Sequence, residues 1–129
     1  MTEKKERTVI SPAPAENLPF STCISYNNLI FISGLVGRNP ATGEIAKGDI
    51  AAQTRQVMQN IQMQLEKAGT SFAKTLKLTI FILDMSKFAE MNAVYQTYFT
   101  AEPPARSCVQ VSALPDAEAL IEIEVIAGR

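Results

Sequence analysis

Arg106 follows Pro103-Pro104-Ala105 and shares an alternating run with Cys108 and Gln110. A guanidinium led in by a rigid proline segment is suited to gripping a carboxylate with two parallel hydrogen bonds. The ordinary alternative is an ion pair with Glu122 or Glu124 across a sheet, and spacing alone favours that pairing. Glu122 and Glu124 alternate with Ile121, Ile123 and Val125, so both fall on one face of a strand. Two such carboxylates act as acid and base when their surroundings push their pKa values apart. A half-buried strand more often keeps its glutamates in solvent, and the pattern alone favours that reading. Cys108 would need a base or cation to become a nucleophile. Arg106 is the only evident activator, and a small buried residue is the expected role for the thiol.

The chemistry open to these residues is narrowed by what is missing. The chain has no histidine, which excludes Ser/His/Asp triads and histidine-ligated zinc. Cys23 and Cys108 lie far apart and cannot build a four-cysteine zinc site, and two free thiols fit a reducing cytosol. With 12 basic and 13 acidic side chains the formal charge is −1, which gives no electrostatic footprint for a phosphate backbone. Nucleic acid is not an expected partner. Ser33-Gly34 and Gly37 follow a β-rich run, where exposed N–H groups could receive an anion. Neither the G-x-G-x-x-G nor the G-x-x-x-x-G-K-[ST] motif is present. Tyr26, Tyr95 and Tyr98 read as packing residues, and Met58, Met63, Met85 and Met91 as core filler.

The elements that must hold these groups follow from hydrophobic period. At 129 residues a single domain, 1–129, is expected, and roughly two thirds of the unfolded surface can be buried without disulfides. Residues 1–7 mix charges and are expected to form a disordered tail. No apolar run approaches the ~20 residues that span a bilayer. Val9 and Ile10 suggest a short edge strand before Pro12 and Pro14. Thr22 to Ser33 reads as a hairpin turning at Asn27-Asn28, and Gly37 to Gly48 as a surface loop. Asp49 is a suitable N-cap for a helix running to Ala68, with Gly69 at its left-handed C-cap. Its apolar stripe is Ile50, Val57, Met58, Ile61, Leu65 and Ala68, with Gln53, Arg55 and Gln56 among the residues of the polar side.

Thr75 to Leu83 alternates Leu76, Leu78, Ile80 and Ile82 against Lys77, Thr79 and Phe81, the pattern of a strand covered on one face. Ser86 is expected to cap a second helix carrying Phe88, Met91, Tyr95 and Tyr98, which Pro103-Pro104 ends. Ala105 to Ser112 and Ala119 to Ala127 read as the last two strands. The order predicts an α+β sandwich, one mixed sheet with two helices on one face. Arg106, Cys108, Glu122, Glu124, Thr79 and Phe81 are expected together on the uncovered face. Such a mixture of charge and apolar surface suits self-association around a polar pocket.

The segment Pro104-Ala105-Arg106-Ser107-Cys108-Val109-Gln110-Val111, then Leu114-Pro115 and Ile121-Glu122-Ile123-Glu124-Val125-Ile126-Ala127, resembles the signature of the reactive intermediate deaminase (Rid, or YjgF-type) family, also labelled endoribonuclease L-PSP. The likeness extends to Phe31-Ile32-Ser33-Gly34, Asn39-Pro40-Ala41-Thr42-Gly43-Glu44, Asp49-Ile50-Ala51-Ala52-Gln53-Thr54 and Met91-Asn92-Ala93-Val94-Tyr95. It implies a chorismate-mutase-like fold, a cytoplasmic homotrimer whose sheets form a barrel, and sites at the subunit clefts. It implies hydrolysis of 2-enamines and 2-imines, such as 2-aminoacrylate and 2-aminocrotonate, to 2-keto acids and ammonia, without cofactor, metal or membrane.

By the same resemblance Arg106 would hold the substrate carboxylate, and Glu122 would hold or deprotonate the attacking water. The Cys108 N–H and the Ser33-Gly34 turn would add donors, Phe20 would line the pocket, and Asn92 would contact the ligand or a neighbouring subunit. Many members carry Gly-Pro-Tyr where this chain has Leu18-Pro19-Phe20, and often Ser-Gly-Gln where Ser33-Gly34-Leu35 stands. Both changes are expected to make the pocket less polar and to favour a longer or more apolar imine. Some members are described as endoribonucleases that inhibit translation, which the charge and the missing histidine oppose. A trimeric metabolite-binding protein without turnover is the third reading.

Overall fold

The structure, a computed structural model, describes residues 6–129. Most of the expected tail therefore lies outside the described residues, but Arg7 does not belong to it, because it already pairs with Tyr26 in the first strand. Six strands, β1 (Arg7–Pro12), β2 (Ser21–Tyr26), β3 (Leu29–Val36), β4 (Thr75–Ile82), β5 (Ala105–Gln110) and β6 (Ile121–Gly128), form one sheet in the order β1-β2-β3-β6-β4-β5. All neighbours are antiparallel except β4 and β5. The sheet is mixed, as its pattern implied. Helices α1 (Ile50–Lys67) and α2 (Phe88–Tyr95) pack side by side on one face. No helix among the described residues is long and apolar enough to cross a membrane.

The local signals act as the spacing suggests. Asn27 takes a left-handed φ of 55° in the two-residue turn between Tyr26 and Leu29. Asp49 accepts from the Ala52 N–H at 3.1 Å and starts α1, and Gly69 follows it with φ 79°. Val57, Met58, Ile61 and Leu65 are fully buried against the sheet, each contributing about 1.5–3 kcal/mol. In β6 the row Ile121, Ile123, Val125 and Ala127 is buried under the helices, while Glu122 and Glu124 take the opposite face.

Several expectations are corrected. Gln53, assigned to the polar side of α1, is only 3% exposed. Its amide donates to the Glu118 carbonyl at 3.1 Å and accepts from the Leu120 N–H at 2.7 Å, so it replaces a strand partner for the segment entering β6. Met63 is 51% exposed rather than core. Leu76 is 49% exposed, because the β4–β6 register slips between Thr75 and Lys77 and takes it out of the Leu78, Ile80, Ile82 row. Ser86 does not cap the second helix. Asp84 caps the preceding 3-10 turn by accepting from the Ser86 N–H and hydroxyl, and α2 stops at Tyr95, with Tyr98 in a further 3-10 turn. In the sheet β3 and β6 occupy the middle, and β4 lies between β6 and the edge strand β5.

Replacing Gln53 with Ala leaves the Glu118 carbonyl and the Leu120 N–H without partners, an expected loss of about 1–3 kcal/mol. Urea unfolding at fixed protein concentration measures it, and an unchanged midpoint would mean that water substitutes for the amide.

Candidate functional site

Arg106 enters β5 directly after the prolines and sits opposite Leu78 of β4, as Cys108 sits opposite Ile80. Leu78 and Ile80 are fully buried beneath the helices. Parallel pairing therefore sets Arg106 and Cys108 on the helix-covered face, a correction to the expectation that they share the open face with Glu122. Ser107 and Val109 take the open face instead. The parity of β5 is fixed by its partner strand, because neither of its rows is apolar enough to choose a face on its own.

On the covered face α2 receives the guanidinium. Phe88, Asn92 and Tyr95 stand at i, i+4 and i+7, one face of a helix. The Arg106 Cζ lies 4.8 Å from the Tyr95 ring centroid and 5.3 Å from that of Phe88. Its Nη1 donates to Asn92 Oδ1 at 2.6 Å. The ion pairs among the described residues are Arg38–Asp116 and Lys87–Glu90. Arg106 is paired with neither Glu122 nor Glu124, and β4 separates its strand from β6. The expected cross-ladder ion pair is thus absent. A half-buried guanidinium with five N–H donors, one of them engaged by a neutral amide, has the electrostatics and geometry to take an anion.

Cys108 packs partly against the core. Burial pushes its thiol pKa up, and the Arg106 charge only partly opposes this. A thiol in this state is poorly suited to nucleophilic attack. Tyr95 is shifted upward by burial in the same way, again opposed by Arg106.

Glu122 belongs to a different corner. It stands on the open face of β6, between Val36 of β3 and Phe81 of β4. The β3–β6 register slips between Ile32 and Leu35, leaving Ser33 and Gly34 as a bulge beside it. Ser33 Oγ donates to the Ser21 carbonyl at 2.7 Å, and Asn60 of α1 donates to the Val36 and Arg38 carbonyls at 3.2 and 2.8 Å, pinning the bulge from both ends. A side chain at Gly34 would put its Cβ 2.7 Å from the Glu122 Cδ, so only glycine admits the carboxylate there. Burial, then the nearby Glu124 charge, holds the Glu122 carboxyl above the usual glutamate range.

Phe20 precedes Ser21 and is 49% exposed at this end of the sheet. Leu35 does not line the site. It pairs with Ile123 and packs into the core, so its departure from the family pattern does not alter the polarity of the open face. A depression of about 240 Å³ on the open face, lined by Phe31, Ser33, Lys77, Thr79 and Glu124 among others, contains neither Arg106 nor Glu122. Ser33 and Gly34 thus gather with Glu122, and Asn92 and Cys108 with Arg106. Phe88 and Tyr95, read from sequence as packing, prove to be the faces that hold the guanidinium. The 88, 92, 95 spacing was the available signal.

The two corners do not meet within one chain. Arg106 is opposite Leu78 and Glu122 opposite Phe81, two strands apart. Strand spacing and rise separate their backbones by ~14 Å, with the side chains leaving opposite faces of the sheet.

Comparison with known proteins places this geometry in context. The profile described as Endoribonuclease L-PSP matches residues 10–128. A RutC family protein of Pyrococcus horikoshii is 48% identical over 97% of this chain and 98% of its own. The 2-iminobutanoate/2-iminopropanoate deaminase of Escherichia coli K12 is 42% identical over 91% of this chain and 92% of its own. A crystal structure of a conserved Rid family protein from Yersinia pestis superposes with TM-score 0.89 at 43% identity, covering 96% of this chain and 100% of that one.

Glu122 is expected to titrate above an ordinary glutamate, and Glu124→Gln to lower its pKa by removing a like charge. Carboxyl ¹³C shifts followed against pH measure both. A Glu122 pKa unchanged in Glu124→Gln would remove Glu124 from the site's electrostatics.

Proposed function

The chain belongs to the endoribonuclease L-PSP (Rid) family, and on that premise we propose that it is a deaminase hydrolysing small 2-imino acids, formed from 2-enamines, to 2-keto acids and ammonia. The observation that carries this reading is the unpaired, ring-held guanidinium of Arg106, a receptor for a substrate carboxylate. A protonated imine carbon next to that carboxylate is already electrophilic. Glu122 takes a proton from water as the oxygen attacks this carbon, giving a carbinolamine. Glu122 returns that proton to the carbinolamine nitrogen, the C–N bond breaks with ammonia as the leaving group, and the hydroxyl proton passes to the freed carboxylate or to the departing ammonia as the keto group forms. A glutamate whose pKa is raised is a stronger base than one in free solution. Holding carboxylate and water together supplies the orientation.

The carboxylate and the imine carbon are adjacent atoms, whereas Arg106 and Glu122 of one chain face opposite ways ~14 Å apart. The reading therefore requires a site assembled from two copies, with Arg106, Asn92 and the Cys108 N–H from one and Glu122, Ser33, Gly34 and Phe20 from the next. A homotrimer closed on the open sheet faces is the assembly proposed. The half-exposed Phe31 and Val109 on that face, 39% and 44% exposed, support its burial against another copy. A formal charge of −1 and the lack of histidine favour a small acid over RNA as substrate.

Purified protein mixed with a serine or threonine dehydratase should suppress trapping of the imine by semicarbazide. Arg106→Ala should raise KM, and Glu122→Gln should lower kcat by about 10²–10⁴-fold. Activity should rise with pH as Glu122 loses its proton, and its raised pKa moves that limb upward from the ordinary glutamate range. At a substrate level well below the raised KM, where each variant alone is slow, unfolding and refolding the two variants together at equal amounts should restore about a quarter of the wild-type rate, since a site shared between copies draws each residue independently. No recovery in the mixed refolding would mean that each site lies within one chain. No effect of the wild type on trapping would reject the deaminase reading itself.

A further inference from the structure

We propose that Tyr95 and Phe88 are positioning residues that hold the Arg106 guanidinium flat between two ring faces and leave its unengaged N–H edge ready for an anion. This deepens the reading above and rests on it for the identity of that anion. Arginine on an edge strand ordinarily samples many rotamers. Here the Cζ is 4.8 Å from one ring and 5.3 Å from the other, both within the range of cation–π attraction. Asn92 takes one hydrogen of Nη1 at 2.6 Å and fixes rotation in the plane. A neutral amide and two aromatic faces stabilise the cation without supplying a negative charge. They constrain the fork while leaving its charge free for a ligand, which a carboxylate partner could not do.

Tyr95 is itself fixed by packing. It is 6% exposed, and its ring lies 5.0 Å from that of Phe99. Its hydroxyl is buried and makes no hydrogen bond among the described residues. The ring face rather than the hydroxyl therefore acts on Arg106, and this separates a positioning role from direct catalysis. Tyr95→Phe should keep the clamp, whereas Tyr95→Leu and Phe88→Leu should each loosen it.

The probe is 2-oxobutanoate, the stable keto acid of the proposed reaction, titrated by calorimetry into the full-length protein. Tyr95→Leu and Phe88→Leu should each weaken binding roughly 3- to 30-fold and raise KM with kcat little changed. Tyr95→Phe should restore affinity to within about 3-fold of wild type. The Arg106 Nε–Hε resonance, identified by its loss in Arg106→Lys, should lie upfield from ring currents and move downfield in both leucine variants. This signature needs no ligand and is not moved by a general loss of stability. Should Tyr95→Leu unfold the chain, Phe88→Leu carries the same test on the less buried ring. Unchanged affinity and an unchanged Hε shift in the leucine variants would overturn the proposal and leave the deaminase reading standing. A Tyr95→Phe variant as impaired as Tyr95→Leu would overturn it in favour of a hydroxyl role. A wild type that neither binds 2-oxobutanoate nor hydrolyses imines would remove the deaminase reading, with the Hε shift still deciding whether the rings hold Arg106.

Discussion

A half-buried guanidinium with no counter-ion among the described residues is the interaction on which the Arg106 corner depends. Removing a cation from water is costly unless other groups stabilise it. In this chain two ring faces and one amide oxygen do so, all from a single face of α2. That arrangement demands α2 over the edge strand, which the β4-α2-β5 crossover provides by returning the chain parallel to β4. The proline segment then delivers Arg106 to the start of β5, facing the helix. A carboxylate in place of Asn92 would neutralise the cation, which the neutral amide does not.

The Glu122 corner is built on an opposite principle. Instead of stabilising a charge it crowds one, with apolar neighbours and a second carboxylate raising its proton affinity. The β3 bulge makes this possible. Gly34 lets the carboxylate lie against backbone, and the Ser33 and Asn60 hydrogen bonds keep the bulge from relaxing. One corner thus holds a cation by rings and an amide, and the other a carboxyl of raised proton affinity, on opposite faces of one sheet.

Which of these features were legible in sequence follows from how locally each is encoded. The hairpin turn, the Asp49 cap, the Gly69 stop and the β6 alternation depend on residues within a few positions of one another, and they were read correctly. The burial of Gln53 was not, because its partners are the Glu118 and Leu120 backbone groups, which come from far along the chain. The face of Arg106 was misread for a related reason. Period two fixes that Arg106 and Cys108 point together, but not which way. In β6 the apolar row decides, whereas in β5 the two rows are Arg-Cys-Gln and Ser-Val, and only pairing with Leu78 and Ile80 settles the parity. The expected ion pair with Glu122 or Glu124 failed because β4 lies between β5 and β6, a matter of strand order that no local pattern contains. The family motif named the residues without revealing that the two halves face apart.

The same parity argument assigns the two departures from the family pattern different weights. Leu35 stands opposite Ile123 and belongs to the core, where a leucine fits better than a glutamine. Its consequence is packing under β3, not the chemistry of the open face. Phe20 is half exposed beside the strand end that carries Ser33 and Gly34, and its ring offers an apolar surface where a tyrosine would offer a hydroxyl. Under the proposed reaction any shift in substrate scope therefore rests on Phe20 alone. In that proposed reaction it would act at the imine end of the substrate, the carboxylate end being held by Arg106 from another copy. Affinity for the carboxylate and selectivity for the side chain are then set by different elements and can vary independently.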